Sequence, residues 1–489
     1  MKSSTSQPNV IVIYADDLGF GDIGCYGAND IPTPNLDKLA DEGIKFHQGY
    51  APAATCTPSR YSLLTGSYPW RNPNAAVLPG DAPQIIAPDA PTLPKMLQSQ
   101  GYRTGIVGKW HLGLGNGELD FNTEIQGTPN DVGFDTSYIM AATNDRVPCV
   151  YINNRHVENL DPNDPIEVTY EWDNAFPDVP TGRHNPELLD MMYDHGHDGT
   201  IINGVSRIGH MRGGKRAVWD DETMGEHFAD KAKSFISENA EQPFFLYYAL
   251  HQPHVPRIPA PQFRGVTPHG PRGDVIVEMD WCIGQVLDHL ESLGLKENTL
   301  VIFSSDNGPV LNDGYKDQAI EKNGNHRMAG PLRGGKYSLF DGGTKVPFLL
   351  RWPANVQPGE SNTIFGHVDL YASLAALTGA TLAEDEAPDS HNMLSTLTDA
   401  QQTGREEIAL EGMQGGNVYR YRHWGYIPPH DGEAICCYTG NEKGNLNAPQ
   451  LYDLSKDVGQ QHNLAEQYPD VVDELATRFA AHMRLDKTR

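Results

Sequence analysis

Three things are scarce in this chain of 489 residues, and each scarcity excludes something. Cysteine comes first: Cys25, Cys56, Cys149, Cys282, Cys436 and Cys437 are the whole set, without zinc-like spacing and too thinly spread for a disulfide scaffold. The adjacent Cys436 and Cys437 could join each other only with strain, and the six together mark no compartment. Positive charge comes second, since 37 lysines and arginines against 64 acidic residues leave a net charge of −27. That balance disfavours nucleic acid and other polyanions as surface partners, so an anionic substrate would need locally placed positive charge. Arg60, Lys109, Arg272, Arg333 and Lys336 are the candidates. Long apolar runs are the third absence: none is long enough to span a membrane, and Met1–Pro8 lacks the apolar core of an export signal.

What is present is enough to build a large core. A hydrophobic content of 38% over this length suggests a large α/β domain with a smaller unit attached. Apolar runs bounded by turn residues alternate with amphipathic stretches, the pattern of a mostly parallel sheet flanked by helices. Val10–Tyr14, Thr104–Val107, Phe244–Ala249 and Leu300–Ser304 read as strands, in that order. Thr33 to Gly43 reads as a capped helix with proline at its start, and about Val275 to Leu293 as a long helix closed by Gly294. Pro69–Pro94 and Asp161–Pro186 read as surface loops that could wall a pocket, and Arg207–Arg216 as a basic loop, solvated or touching a ligand. Beyond a helix near Val368–Thr378 the pieces shorten: Glu407–Glu411, Val418–Trp424 and Gln450–Leu454 as strands, then a helix from Asp470 to Met483. The expected division is residues 1–380 as the catalytic α/β part and 381–489 as a small antiparallel sheet with a helix.

The polar motifs fall at one place in this pattern. Asp16-Asp17 follows the first strand, Lys109 and His111 the second, His251 and His254 the third, and Asp306-Asn307-Gly308 the fourth. Ligands of open α/β sheets bind beyond the carboxyl ends of the strands, so one architecture would bring all four motifs to one rim. Taken singly, each has a plain explanation: a helix cap, a surface pair, a proline-stiffened loop, a tight turn. Asp16, Asp17, Asp306 and Asn307 are nonetheless the hard oxygen donors that calcium or magnesium needs.

Cys56-Thr57-Pro58-Ser59-Arg60, with Leu64-Thr65-Gly66 beyond, puts a thiol at the entrance of a helix with an arginine one turn on. An anion could there meet backbone N–H groups and a guanidinium together. A buried structural cysteine is the plain alternative. This pattern resembles the signature of the formylglycine-dependent (type I) sulfatases of the alkaline phosphatase superfamily. Gly108-Lys109-Trp110-His111, His251-Gln252-Pro253-His254 and Arg333-Gly334-Gly335-Lys336 also match motifs of that family. Leu451-Tyr452-Asp453-Leu454 and Asn463-Leu464-Ala465 extend the likeness to the C-terminal part.

The resemblance implies that Cys56 is oxidised to formylglycine by a maturation enzyme, and that the aldehyde's hydrate attacks sulfur. It implies a divalent cation, calcium or else magnesium, on Asp16, Asp17, Asp306, Asn307 and residue 56. Arg60, Lys109, His111, His254 and Lys336 complete the catalytic set, the lysines holding sulfate oxygens and His254 serving as acid for the leaving alcohol. His251, Arg272, His326, Arg333, Asn144 and Arg146 are candidates for substrate contact. The loops around Asn144–Cys149, Asp198–Thr200 and Arg272–Asp274 resemble those of bacterial polysaccharide-degrading sulfatases, which suggests an exo-acting enzyme on sulfated galactose-type units. Exported relatives point to a periplasmic or secreted protein whose signal is absent from this chain. The alternatives are a formylglycine-dependent phosphonate or phosphodiester hydrolase, and a sulfoglycan-binding homologue without catalysis. Asn307, where a histidine would favour a two-metal site, points to one hard cation and sulfate.

Overall fold

The computed structural model describes residues 7–117, 119–171, 176–413 and 415–489. Ten strands form the main sheet, in the spatial order Gly359–Ser361, Ile44–Phe46, Phe348–Arg351, Thr299–Ser305, Asn9–Ala15, Phe244–Ala249, Arg103–Lys109, Thr136–Met140, Ile152–Asn153 and His156–Val157. The five from Thr299–Ser305 to Thr136–Met140 are parallel, and antiparallel strands border them on both sides. All seven residues of Asn9–Ala15 and all six of Phe244–Ala249 are buried, as expected where helices cover both faces and the strand sequence is apolar throughout. The helices Met224–Glu238 and Gly270–Ser292 pack against each other on the sheet. The second of these begins five residues ahead of the start expected from the sequence, because Pro271 suits a first helical turn and does not end it.

The second sheet is antiparallel, Glu407–Glu411, Asn417–Tyr421, Trp424–Ile427 and Gln450–Asp453. The expected single strand Val418–Trp424 is therefore a hairpin: Tyr421 pairs with Trp424 across Arg422-His423, and Arg422 adopts φ 54°. No Asn-Gly or Asp-Gly marks that turn, so the sequence carries little sign of it. The helix Pro469–Arg484 covers this sheet through Leu475 and Phe479, which pack on Tyr419 and Tyr426. Buried ion pairs tie the second sheet and the segment leading into it to helical turns beside the main sheet: Arg405 with Asp369 at 2.6 Å, and Arg420 with Asp341. The Pro69–Pro94 region carries a short 3-10 turn at Pro69–Arg71 and leads into a helix starting at Leu93. Of Asp161–Pro186, Glu167–Thr169 pairs with His210–Arg212, and residues 172–175 lie outside the described set, as do residues 1–6. Arg207 is not a solvated loop residue; it is fully buried, paired with Asp221 at 2.6 Å and donating to the Asn144 carbonyl. No described helix is long and apolar enough to cross a membrane.

Candidate active site

The carboxyl ends of the parallel strands deliver the motifs to one rim. Asp16 and Asp17 follow Asn9–Ala15, Lys109 ends Arg103–Lys109, and Asp306 and Asn307 follow Thr299–Ser305. Cys56 opens the helix Cys56–Thr65 after Thr55 in extended conformation, with Pro58 in the first turn. Its ligand atom and those of Asp16 and Asp306 lie within 4.8 Å of one another, as do those of Asp16, Asp17 and His254. Two of these loops hold a non-glycine residue in the left-handed region, Asp17 at φ 66° and His111 at φ 55°. Such residues cost about 1–3 kcal/mol each and persist where their surroundings demand them. Asp17 pairs its N–H with Asp306 Oδ1 at 3.2 Å, and the His111 carbonyl accepts the Thr57 hydroxyl at 2.9 Å.

The charges are nearly all buried and nearly all matched. Lys109 Nζ bridges both oxygens of Asp16 at 2.7 Å. Lys336 Nζ meets Asp17 Oδ2 at 2.8 Å and Asp313 Oδ2 at 2.7 Å. Burial works against the Lys336 ammonium, but Asp17 and Asp313 hold its pKa well above the usual lysine value. Arg60 has a different neighbour from the anion suggested by the sequence: its Nε and a terminal nitrogen donate to Asp306 Oδ2 at 2.9 and 2.7 Å. Burial pushes the Asp306 carboxyl up, yet Arg60 and then Lys109 outweigh it and keep that carboxyl below its ordinary range. Burial also raises the Cys56 thiol, opposed chiefly by Lys109 and by Lys336, so the unmodified side chain is held as a thiol and not as the thiolate needed for attack.

Two rim histidines, His111 and His254, have their tautomers set by a carbonyl, which can only accept. His111 Nε2 donates to Leu78 O at 2.9 Å, leaving a buried Nδ1 without a partner. His254 Nδ1 donates to Val255 O at 2.7 Å, leaving Nε2 free, 3.8 Å from Asp17 Oδ2. Burial, then Lys109 for His111 and Lys336 for His254, depresses both rings well below the usual histidine pKa. His251 is buried behind this loop beside Phe228, with its pKa pushed down to about 3 by burial.

The remaining sequence candidates divide. Asn144 and Arg146 stay near the rim: Asn144 donates to Pro256 O at 3.2 Å, and Arg146, paired with Asp145 at 2.9 Å, adds to the positive charge that holds the His111 pKa down. Arg272 and His326 instead converge on Asp22, with Arg272 at 2.8 and 2.5 Å and His326 Nε2 at 2.8 Å. Arg333 binds Glu442 and the Gln460 carbonyl and lies over Phe340, a tie to the C-terminal sheet. Residues that the sequence did not single out also belong here. Asp313 holds Lys336, His197 Nε2 meets Asp145 at 2.9 Å, and Tyr247 supports Arg60 at 3.4 Å. Asp313 lies in an ordinary Asn-Asp-Gly turn and His197 in an irregular loop, so neither carries a pattern that periodicity could reveal.

Asp22 braces the loop that carries Asp16 and Asp17, also accepting from Gly19 N–H at 2.7 Å. Burial opposes its charge, but Arg272 and His326 hold its pKa down at about 2, from an ordinary 3.8. Because the folded value is depressed, the stability it contributes is complete above about pH 4 and is lost as pH falls toward 2. Asp22→Asn, which strands a buried guanidinium, is expected to destabilise the fold by about 3–5 kcal/mol near neutral pH. Urea unfolding of both proteins checks this, and the difference should narrow as pH drops below about 4.

The donors of Asp16, Asp17, Asp306 and Asn307 suit a hard divalent cation. All four are buried oxygen donors, and Asn307 Oδ1 has no hydrogen-bond partner while its Nδ2 is spent on Asp17 Oδ1 at 2.7 Å and on Gly308 O.

The family model for sulfatases matches residues 8–380. The chain belongs to the sulfatase family. It is thus a sulfuric ester hydrolase by kinship, and its relatives match it nearly end to end. An N-acetylgalactosamine-6-O-sulfatase of Bacteroides thetaiotaomicron is 49% identical over 474 residues, 97% of this chain and 92% of that protein. The human N-acetylgalactosamine-6-sulfatase is 32% identical, covering 97% of this chain and 85% of its own length. A solved Bacteroides thetaiotaomicron structure, described with the metabolism of multiple glycosaminoglycans, superposes with a TM-score of 0.96 at 48% identity over 98% of this sulfatase and 99% of that chain. The sheet order and the appended antiparallel sheet are therefore those of a sulfatase.

Proposed function

We propose that this sulfatase removes the 6-O-sulfate from terminal N-acetylgalactosamine-type units of a glycan, using a formylglycine made from Cys56. The observation that carries the substrate is the 49% identity, across 97% of the chain, to a relative named for that sugar and that position. It narrows the galactose-type expectation from the sequence. Residues 1–380 serve in this reading as the catalytic part and 381–489 as an attached subdomain, in a periplasmic or secreted protein.

The geometry supports the following roles. Asp16, Asp17, Asp306 and Asn307 would hold calcium, or else magnesium, together with residue 56. The cation would neutralise sulfate charge and acidify a hydroxyl next to it. Residue 56, as an aldehyde hydrate, supplies one hydroxyl to attack sulfur and a second whose loss of a proton lets sulfate depart and the aldehyde re-form. Lys109 and Lys336, the two cations that act most on Cys56, take sulfate oxygens as charge builds on them. Asp306, kept ionised by Arg60, accepts the proton of the attacking hydroxyl. As the sulfur–sugar oxygen bond breaks, His254 gives the leaving oxygen a proton from Nε2, the ring atom left free by its bond to Val255. The ring is neutral beforehand, and the negative charge of a bound sulfate ester favours its protonation. His111 Nδ1, bare and buried, accepts the proton of the second hydroxyl.

The test is sulfate release from matched substrates: N-acetylgalactosamine carrying sulfate at position 6 or 4, the same unit at chain ends or inside chains, and phosphate or phosphonate counterparts. Preference for terminal 6-sulfate by at least tenfold is expected. Preference for the 4-sulfate or for a phosphonate would overturn the substrate reading, and release from internal positions alone would overturn exo action.

A further inference from the structure

Beyond the strand ends, two walls rise beside the candidate active site, and each carries an aromatic ring. One wall is the segment 193–197. His197 in it holds Asp145 at 2.9 Å, next to Arg146, and its Nδ1 donates to His195 O at 2.7 Å. Asp194 in it accepts from Asn312 Nδ2 at 2.7 Å, one residue before the Asp313 that pairs with Lys336. His195 stands two residues from His197 and is tied to Asp194 at 3.1 Å.

The other wall comes from the C-terminal part, the segment between Trp424–Ile427 and Gln450–Asp453. Asn441 reaches the Lys336 carbonyl at 3.1 Å and the Pro309 carbonyl at 3.3 Å, and its own carbonyl accepts from Cys436 N–H at 2.8 Å. Three residues before Asn441, Tyr438 is 59% exposed, and its ring meets His195 at 5.3 Å between centroids and 32° between planes. A single exposed aromatic needs no explanation by itself. Here, however, two rings from segments more than two hundred residues apart meet where both segments are anchored to groups around Lys336. Ile435 and Leu446, 49% and 48% exposed, extend the apolar surface of the same segment.

We propose that Tyr438 and His195 form the platform for the sugar unit adjoining the sulfated one, so that the C-terminal subdomain takes part in choosing the substrate. Aromatic faces are suited to holding a sugar, since they present a large, rigid apolar surface to the C–H faces of its ring and keep a polar edge for its hydroxyls. The inference rests on the reading of the substrate as a sulfated glycan, and it adds which part of the chain reads the second unit.

The experiment compares two probes, N-acetylgalactosamine-6-sulfate and a disaccharide with that unit at its non-reducing end. Wild-type protein is expected to favour the disaccharide. In Tyr438→Ala, kcat/KM for the disaccharide should fall roughly three- to tenfold through KM, with the monosaccharide unchanged. Tyr438→Trp should restore the preference, and His195→Ala should weaken it in the same direction. A Tyr438→Ala protein that keeps the wild-type preference, or that loses both substrates equally, overturns the platform. Failure of the wild type to act on either probe strikes the substrate reading instead, so the two failures are distinguishable.

Discussion

Cys56→Ala is expected to lower kcat/KM for any sulfate ester by on the order of 10⁴-fold or more, because on the proposed mechanism it removes the thiol without which Cβ cannot be oxidised to the aldehyde. The fold should survive, since the thiol is small and takes part in no disulfide. Cys56→Ser is expected to be nearly as inactive. A serine can be sulfated but has no second hydroxyl on the same carbon with which to expel the sulfate. Mass spectrometry of the tryptic peptide Phe46–Arg60 from the native host provides the direct check, since the proposal requires an aldehyde in place of the thiol at residue 56. Full turnover by Cys56→Ala, or a host-derived active enzyme with an intact thiol, would sink the formylglycine mechanism.

Removal of divalent cation is expected to have the next largest effect, a loss of turnover of about a hundredfold or more. Three carboxylates and an amide oxygen converge behind the strand ends, and two ammonium groups and one guanidinium now share them: Lys109 on Asp16, Lys336 on Asp17, Arg60 on Asp306. Stripping a resident cation should also lower thermal stability, by about 2–3 kcal/mol for an ion held at ~100 times its dissociation constant. Dialysis against a chelator, followed by elemental analysis, a thermal scan and an assay, tests both effects at once. Calcium should restore turnover and melting temperature together. Protein shown free of divalent metal, yet fully active and equally stable, would defeat the assignment of these four donors.

The strands of this fold were legible because they lie under helices on both faces, so their sequences are unbroken apolar runs that no surface pattern dilutes. Their order was not legible, yet the rule that ligands gather beyond parallel strand ends was enough to place Asp16, Lys109, His254 and Asp306 together. Side-chain partners were harder to read. In the sequence Arg60 and Arg272 are both candidates for receiving an anion. Each instead meets a carboxylate about 250 positions away, Arg60 on Asp306 and Arg272 on Asp22, pairings that exist only once the sheet has closed. Nothing local in Val418–Trp424 announced the turn at Arg422, where positive φ falls on an arginine and not on glycine or asparagine. The walls of the pocket, from Tyr193 to His197 and from Cys436 to Asn441, are irregular backbone whose geometry comes from what they lean on, so their residues carry no period to detect.

The burial of Cys56 has a consequence for the order of events in the life of the chain. In the folded protein this side chain is 2% exposed, beneath Lys109, Lys336 and the carboxylates of Asp16 and Asp306. On the formylglycine reading, a maturation enzyme could take such a thiol into its own active site only before the charged groups around it have come together. The covering residues come from positions as far apart as Asp16 and Lys336, contacts of high sequence separation that form late and slowly in folding. Residue 56 thus stays open to another enzyme for as long as the distant strands have not met. On the proposed maturation of residue 56, that interval becomes a race between a modifying enzyme and the closing of a parallel sheet, and its outcome would decide whether a given molecule becomes a catalyst.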